Sequence, residues 1–212
     1  MKIAAFIGIA LVIFTCCKKD KDKITISGTL NDYATIQPVS GLQVEIQAQL
    51  VGTSTYQSSY TTLQTMASGS DGTFSFTFEE PRATSYRIRV YGTNYRATEH
   101  VFSPEQISAG SYSCNFRVPA YGWIMTKVIN MPPVLPEDQM TIRYFNVPAG
   151  LIDACSSTQF HFQAGAGVND TIPACYIPGG FTLVIEKNNG VMIQYDTVVI
   201  PVNDTLVHSV LY

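Results

Sequence analysis

Leu42-Gln43-Val44-Glu45-Ile46-Gln47-Ala48-Gln49-Leu50 alternates apolar and polar side chains without a break. A period of two belongs to an extended strand, whose successive side chains point to opposite faces. One face of such a strand meets a core and the other meets water, as in an antiparallel sheet covered on one side. The same alternation recurs in Thr73-Phe74-Ser75-Phe76-Thr77-Phe78, in Tyr86-Arg87-Ile88-Arg89-Val90-Tyr91 and from Tyr112 to Val118. Turn chemistry separates the runs at Pro38-Val39-Ser40-Gly41, Gly69-Ser70-Asp71-Gly72 and Gly92-Thr93-Asn94. No stretch after residue 23 sustains a helical period, and Ser103-Pro104-Glu105-Gln106-Ile107 predicts one short turn of helix. Short strands punctuated by turns predict a sandwich or barrel.

Around Pro119-Ala120 the pattern restarts. Tyr121-Gly122-Trp123-Ile124 opens a second set of strands, which continues through Met140 to Phe145, Phe181 to Ile185, Gly190 to Val202 and Thr205 to Tyr212. The two halves are alike in length and in strand content, and no sequence repeat is visible between them. The expected fold is therefore all-β, with two tandem antiparallel β-sandwich domains over residues 24–118 and 119–212.

Three segments of the first half also resemble a known family. Pro38-Val39-Ser40-Gly41-Leu42-Gln43-Val44, Ser70-Asp71-Gly72-Thr73-Phe74 and Tyr86-Arg87-Ile88-Arg89-Val90 are similar to the strand starts and the Asp-Gly hairpin of the carboxypeptidase-regulatory-like, transthyretin-like β-sandwich. The resemblance covers about residues 24–118. It implies an Ig-like or transthyretin-like fold and carries no catalytic residues with it.

The amino terminus points to export. Lys2 precedes an uncharged apolar run from Ile3 to Phe14. That run is shorter than the ~20 residues a membrane-spanning helix needs, and reads as the apolar core of a signal peptide over residues 1–15. Ile13-Phe14-Thr15-Cys16 resembles a bacterial lipobox, which makes Cys16 the lipidated residue, with Cys17 as the alternative register. Lys18-Lys19-Asp20-Lys21-Asp22-Lys23 is charged without apolar periodicity, so residues 16–23 form a solvated tether. The resulting expectation is a lipoprotein of a Gram-negative outer membrane, facing the periplasm or the surface and held to the membrane by its lipid. A two-module lipoprotein of this kind resembles a general class found in glycan-degrading bacteria.

Composition narrows the partners. Hydrophobic residues make up 46% of the 212 and charged residues 14%, so a packed core is available and global disorder is excluded. The formal net charge of −3 hides an acidic body: from Ile24 onward 8 bases face 14 acids, a net −6. An acidic body has no electrostatic reason to bind phosphate backbones, so no nucleic-acid partner is expected. The five cysteines are Cys16, Cys17, Cys114, Cys155 and Cys175; none forms a C-x-x-C pair, and zinc-ligand spacing is absent. In an oxidising compartment Cys155 and Cys175 are the natural disulfide pair, leaving Cys114 over.

No nucleophile elbow, P-loop or H-E-x-x-H is present, and Gly165-Ala166-Gly167 lacks the third glycine and helix of a dinucleotide site. His161 lies between Phe160 and Phe162 and is expected to face solvent. His208 shares parity with Leu206, Val210 and Tyr212 and is expected at a core or interface. The acidic pairs Glu79-Glu80 and Glu137-Asp138 flank prolines and are expected in solvated turns. No catalytic residue, metal or cofactor is therefore expected.

Tyr56, Tyr60, Tyr91, Tyr95 and Trp123 could stack on sugar rings, and Tyr91, Tyr95 and Trp123 are the selected candidates. Asp170-Thr171-Ile172, Asp196-Thr197-Val198 and Asp204-Thr205-Leu206 resemble the D-[ST]-apolar signal for O-glycosylation in certain gut bacteria, at Thr171, Thr197 and Thr205. The expected function is a non-catalytic, lipid-anchored envelope module that mediates protein or glycan interaction. The alternatives are an accessory to a glycan-acting enzyme and a purely structural spacer.

Overall fold

A computed structural model describes residues 23–52, 59–131, 135, 138–147, 155, 159–163 and 169–212. Cys16, Cys17, the tether as far as residue 22, Tyr56, Glu137 and Gly165-Ala166-Gly167 lie outside them, and Lys23, read as the last tether residue, instead opens the first strand. Among the described residues fourteen strands follow one another. The first seven are β1 (Lys23–Asp32), β2 (Gln43–Leu50), β3 (Thr61–Ala67), β4 (Thr73–Glu79), β5 (Ala83–Gly92), β6 (Tyr95–Phe102) and β7 (Ser111–Val118). The next are β8 (Trp123–Ile129), β9 (Gln139–Phe145), β10 (Gln159–Gln163), β11 (Asn169–Tyr176), β12 (Thr182–Asn188), β13 (Ile193–Val199) and β14 (Thr205–Leu211). A 3-10 turn at Pro104–Gln106 falls where the sequence predicts a short turn of helix, with the Ser103 N–H donated to the Gln106 side chain at 2.9 Å.

The strands form four sheets, and each half of the chain is a two-layer sandwich. Sheet order β4-β1-β7 packs over β3-β2-β5-β6 in the first, and β11-β8-β14 packs over β10-β9-β12-β13 in the second. Adding seven to every strand number of the first domain reproduces the second. The halves are thus one topology used twice, although their sequences do not show it.

The alternation read from Leu42 to Leu50 is realised in β2, where Val44, Ile46 and Ala48 are fully buried. Phe74 and Phe76 of β4 and Tyr86, Ile88 and Val90 of β5 join them in one core. The second core gathers Ile124, Val128, Ile142, Tyr144, Leu183, Ile185 and Val210. Burying each such side chain stabilises by about 1.5–3 kcal/mol.

The sheets depart from the purely antiparallel expectation in one respect. β1 pairs with β7, and β8 with β14, in parallel, while every other pairing is antiparallel. Parallel closure joins the first strand of a domain to its last, a contact between distant segments that alternation cannot reveal. It also sets β1 close against β7: a Cβ at Gly28 would overlap the Cys114 carbonyl oxygen and lie 2.7 Å from the Phe74 ring.

The segment between the domains is bonded on both sides. Leaving β7, the chain crosses to the free edge of β6, where Ala120 pairs with Tyr95. Arg96 donates its N–H to the Pro119 carbonyl at 2.9 Å, and Tyr121 donates to Asn94 at 3.1 Å. On the other side Gly179 donates to Ala120, Asn203 to Tyr121 and Ile177 to Gly122. The Arg96 guanidinium lies 5.2 Å from the ring centre of Tyr176, tying the domains through side chains as well.

Candidate functional site

One end of the second domain, remote from the first, gathers exposed apolar side chains. The ladders place the parts there: Leu211 at the end of β14 pairs with Ile129 at the end of β8, and Asn188 of β12 pairs with Thr141 of β9 and with Ile193 of β13. Turn chemistry then pushes apolar residues outward. Asn189 Oδ1 accepts the N–H groups of Val191 and Met192 at 3.0 and 2.8 Å, and Gly190 takes φ +85. Such an Asx-type turn fixes the backbone with its own side chain and leaves the following residues at the tip. Val191 is 95% exposed there, with Met192 and Ile193 about half exposed. In the neighbouring connection Asp138 Oδ2 accepts the Leu135 N–H at 2.7 Å and an Asn130 amide hydrogen at 3.2 Å, and Met131 and Leu135 are exposed.

Between these tips lies a pocket of about 160 Å³. It is lined by Asn189 and Met192 of the hairpin tip, Gln194 of β13, Lys187 of β12, Met140 of β9, and Leu211 with the adjacent Tyr212. The Tyr212 hydroxyl is buried and without a hydrogen-bond partner among the described residues.

Behind the pocket a charged cluster closes the seam between the two sheets. Lys187 Nζ lies 2.8 Å from Asp196 Oδ1, and His208 Nε2 lies 2.9 Å from Asp196 Oδ2. Burial works against the Asp196 charge, but the hydrogen bonds and charges of Lys187 and His208 outweigh it and hold the carboxyl below its ordinary value. Both carboxylate oxygens are thereby engaged, one by the Lys187 ammonium and the other by the His208 ring. The first domain closes the same seam, β6 to β7, with a 2.7 Å hydrogen bond between His100 Nε2 and the Tyr112 hydroxyl. Each of these histidines thus ties the two sheets of its own domain together.

The disulfide read from the sequence is present: Cys155 and Cys175 are bonded, their Cα atoms 5.2 Å apart. It joins the connection after β9 to β11, and so links the two sheets of the second domain. Cys114 is free and partly buried, and burial pushes its thiol up to about 12. Its reactive thiolate is correspondingly scarce at neutral pH.

The three candidate stacking rings have separate surroundings. Tyr91 donates its hydroxyl to Glu45 at 2.7 Å on the outer face of β5, Tyr95 belongs to the junction, and Trp123 stacks parallel on Tyr121 at 5.7 Å. Thr171 and Thr197 are exposed on β11 and β13, whereas Thr205, opening β14, is half-buried. Asp170 and Asp204 each accept the N–H of the following threonine at 2.7 Å. His208 lies at an inter-sheet interface, as its parity predicts. The side chain of His161 lies outside the described residues. Among the described residues no cluster of histidine, cysteine and acid could hold a metal.

The apolar end was missed at the sequence level. Its signal was Val191-Met192-Ile193 immediately after Asn188-Asn189-Gly190: three consecutive apolar residues at a hairpin tip cannot all turn inward.

No family model matches this sequence, and no curated protein matches it. Among solved structures the chain is similar to the Bacillus anthracis TIE protein at 11% identity, covering 89% of this chain and 34% of that one, with a TM-score of 0.40. It is similar to the shaft pilin SpaA of Lactobacillus rhamnosus GG at 9% identity over 89% of this chain and 96% of that one, TM-score 0.35. It is also similar to GBS52, a minor pilin of Streptococcus agalactiae, at 11% identity over 89% and 94%, TM-score 0.34. The chain spans about a third of the TIE protein's length. These overlaps are loose.

Proposed function

We propose that this protein is a non-catalytic, lipid-anchored module of the Gram-negative envelope, whose two sandwiches carry an apolar end outward to a protein partner. The observation that carries this reading is polarity. β1 begins at the end of the first domain away from the junction, and the cluster of Met131, Leu135, Val191, Met192, Ile193 and Leu211 stands at the opposite end of the second. Exposed apolar residues grouped in this way mark interaction sites. The bonded junction between the domains favours a stiff arm over two beads on a string. An amino-terminal lipid at Cys16, or at Cys17 in the other register, would place the apolar end farthest from the membrane. The N-terminal domain is read as carboxypeptidase-regulatory-like, supported by the positive φ of Gly41 and Gly72 in the two turns that carry the resemblance.

The Cys16→Ser variant is expected in the soluble periplasmic fraction without labelled palmitate, because several acyl chains at ~0.8 kcal/mol per methylene make anchoring effectively permanent. Unchanged membrane fractionation and labelling of a Cys16→Ser, Cys17→Ser double variant would refute anchoring. A glycan partner is the second reading, favoured by the parallel, half-exposed Tyr121–Trp123 pair. Trp123 is the sole tryptophan, so its fluorescence should change on titration with a bound oligosaccharide. O-glycans, if attached, belong on the exposed Thr171 and Thr197 ahead of the half-buried Thr205.

A further inference from the structure

The two domains share one topology but treat one edge of their three-stranded sheets differently. In the second domain β11 ends that sheet, and three features spoil it for further pairing: Pro173, a register shift between Ile172 and Cys175, and the Cys155–Cys175 bond. Proline and bulges are among the devices that blunt natural sheet edges. β4 holds the equivalent place in the first domain and has none of the three. It pairs with β1 in unbroken register from Thr73 to Glu79, and Thr73-Phe74-Ser75-Phe76-Thr77-Phe78 contains no charge, proline or glycine. Its hydrogen bonds show which main-chain groups face outward. Gly72 gives its carbonyl to Leu30 on the β1 side, whereas Gly69 donates to the Thr73 carbonyl and the Gln64 amide reaches the Thr77 carbonyl at 3.4 Å. Alternate residues of an antiparallel strand turn their polar groups to opposite sides, so Ser75 and Thr77 direct theirs to the free edge. Among the described residues the main chain of Ser75 has no partner there.

The sequence of this edge is complementary to itself. Thr73 to Phe78 alternates small hydroxyl residues with phenylalanine, and two such strands set antiparallel about Phe76 place Ser75 against Thr77, Phe74 against Phe78 and Thr73 against Glu79. No like charges meet in that register. The outward groups of Ser75 fall opposite those of Thr77, as a hydrogen-bonded pair of residues requires. From these two observations, the unblocked edge and its self-complementary register, we propose that β4 is a homophilic edge to which a second copy of this chain adds antiparallel. A two-fold contact presents the same patch from both partners, and only a self-complementary patch can make one. In the pair the Ser75 N–H replaces the Gln64 amide on the partner's Thr77 carbonyl. Small side chains on the outer face, Thr25 opposite Thr77 and Ser27 opposite Ser75, leave no bulky group to obstruct the approach. One short edge makes a small interface, so the dimer is reversible and concentration-dependent. The proposal goes beyond the display reading and does not depend on it. The two amino termini leave the pair at opposite ends, and both reach one membrane when the joined sheet lies along it.

The test is sedimentation equilibrium of the full chain carrying Cys16→Ser and Cys17→Ser, so that lipid takes no part in association. A monomer–dimer equilibrium is expected, with the Ser75 and Thr77 amides gaining protection from hydrogen exchange as the dimer fills. Thr77→Pro removes an edge-facing N–H while sparing the β1 ladder, since proline is tolerated where its missing donor faces solvent. Ser75→Lys leaves the main chain intact and brings two like charges together across the two-fold. Each variant should weaken the dimer about tenfold or more, with circular dichroism and melting temperature close to the parent. A chain that stays monomeric up to about 1 mM, or a dimer that survives Ser75→Lys, would overturn the proposal. So would a dimer abolished by Met192→Asp, which would give the contact to the apolar end of the second domain.

Discussion

Asp196 shows how a single inward-facing acid can be held at a sheet edge. Lys187 reaches it from the neighbouring strand and His208 from the opposite sheet, at 2.8 and 2.9 Å. Because its folded pKa is depressed, the stability it contributes is present above the ordinary aspartate value of ~3.9 and is lost as pH falls through the folded value. Asp196→Asn should therefore cost about 1 kcal/mol at neutral pH, a figure reduced for partial exposure. The gap between the two proteins should close below about pH 4, because protonated wild type and variant then present the same uncharged partner to Lys187 and His208. Thermal melts across that range check this, and a gap that stays constant down to pH 2 would remove Asp196 from the account of acid stability. Parity along β14 was enough to turn His208 inward in the sequence. Its partner was not legible, because Asp196 reaches it across the space between two sheets, and no local pattern records that approach.

At the scale of elements, legibility followed burial. β2, β4, β5 and β7 stand out as alternating runs because one face of each fills a core, as Val44, Ile46, Phe74, Phe76, Ile88 and Val90 do. β3 and β11 were hidden for physical reasons. β3 is an edge strand with no fully buried residue, so little selects apolar side chains along it. β11 contains Pro173 and shifts register between Ile172 and Cys175, which breaks its period at an edge where proline is tolerated. The Cys155–Cys175 bond pins this irregular strand to the connection after β9. Closing a loop of 20 residues stabilises by about 3 kcal/mol in the chain-entropy model. Reduction, or the double serine variant, should lower the melting temperature of the second domain and leave the first nearly unchanged. Equal losses in both domains by hydrogen exchange would show that they unfold as one unit.

The whole molecule depends on how its two sandwiches are joined. Arg96 lies over Tyr176 while the backbone from Pro119 to Gly122 bonds to both domains. Arg96→Ala removes the side-chain tie and leaves the backbone ladder, so small-angle scattering should report a broader distribution of maximum dimensions with each domain's own melt intact. An unchanged scattering profile would assign the stiffness to the backbone bonds alone. The tandem architecture was legible from the restart near Tyr121, whereas the identity of the two topologies was not, because core positions accept many apolar residues once pattern and volume are kept. One consequence of the parallel closures β1–β7 and β8–β14 concerns mechanical load. Each domain is entered at one end and left at the other through neighbouring strands, so tension between a held amino terminus and a captured far end slides the two strands past each other. Their hydrogen bonds then resist together, whereas tension across a hairpin would open them one after another. The same chain pulled from its ends should therefore withstand more force than when pulled across the β12–β13 hairpin, a property suited to a tether under tension.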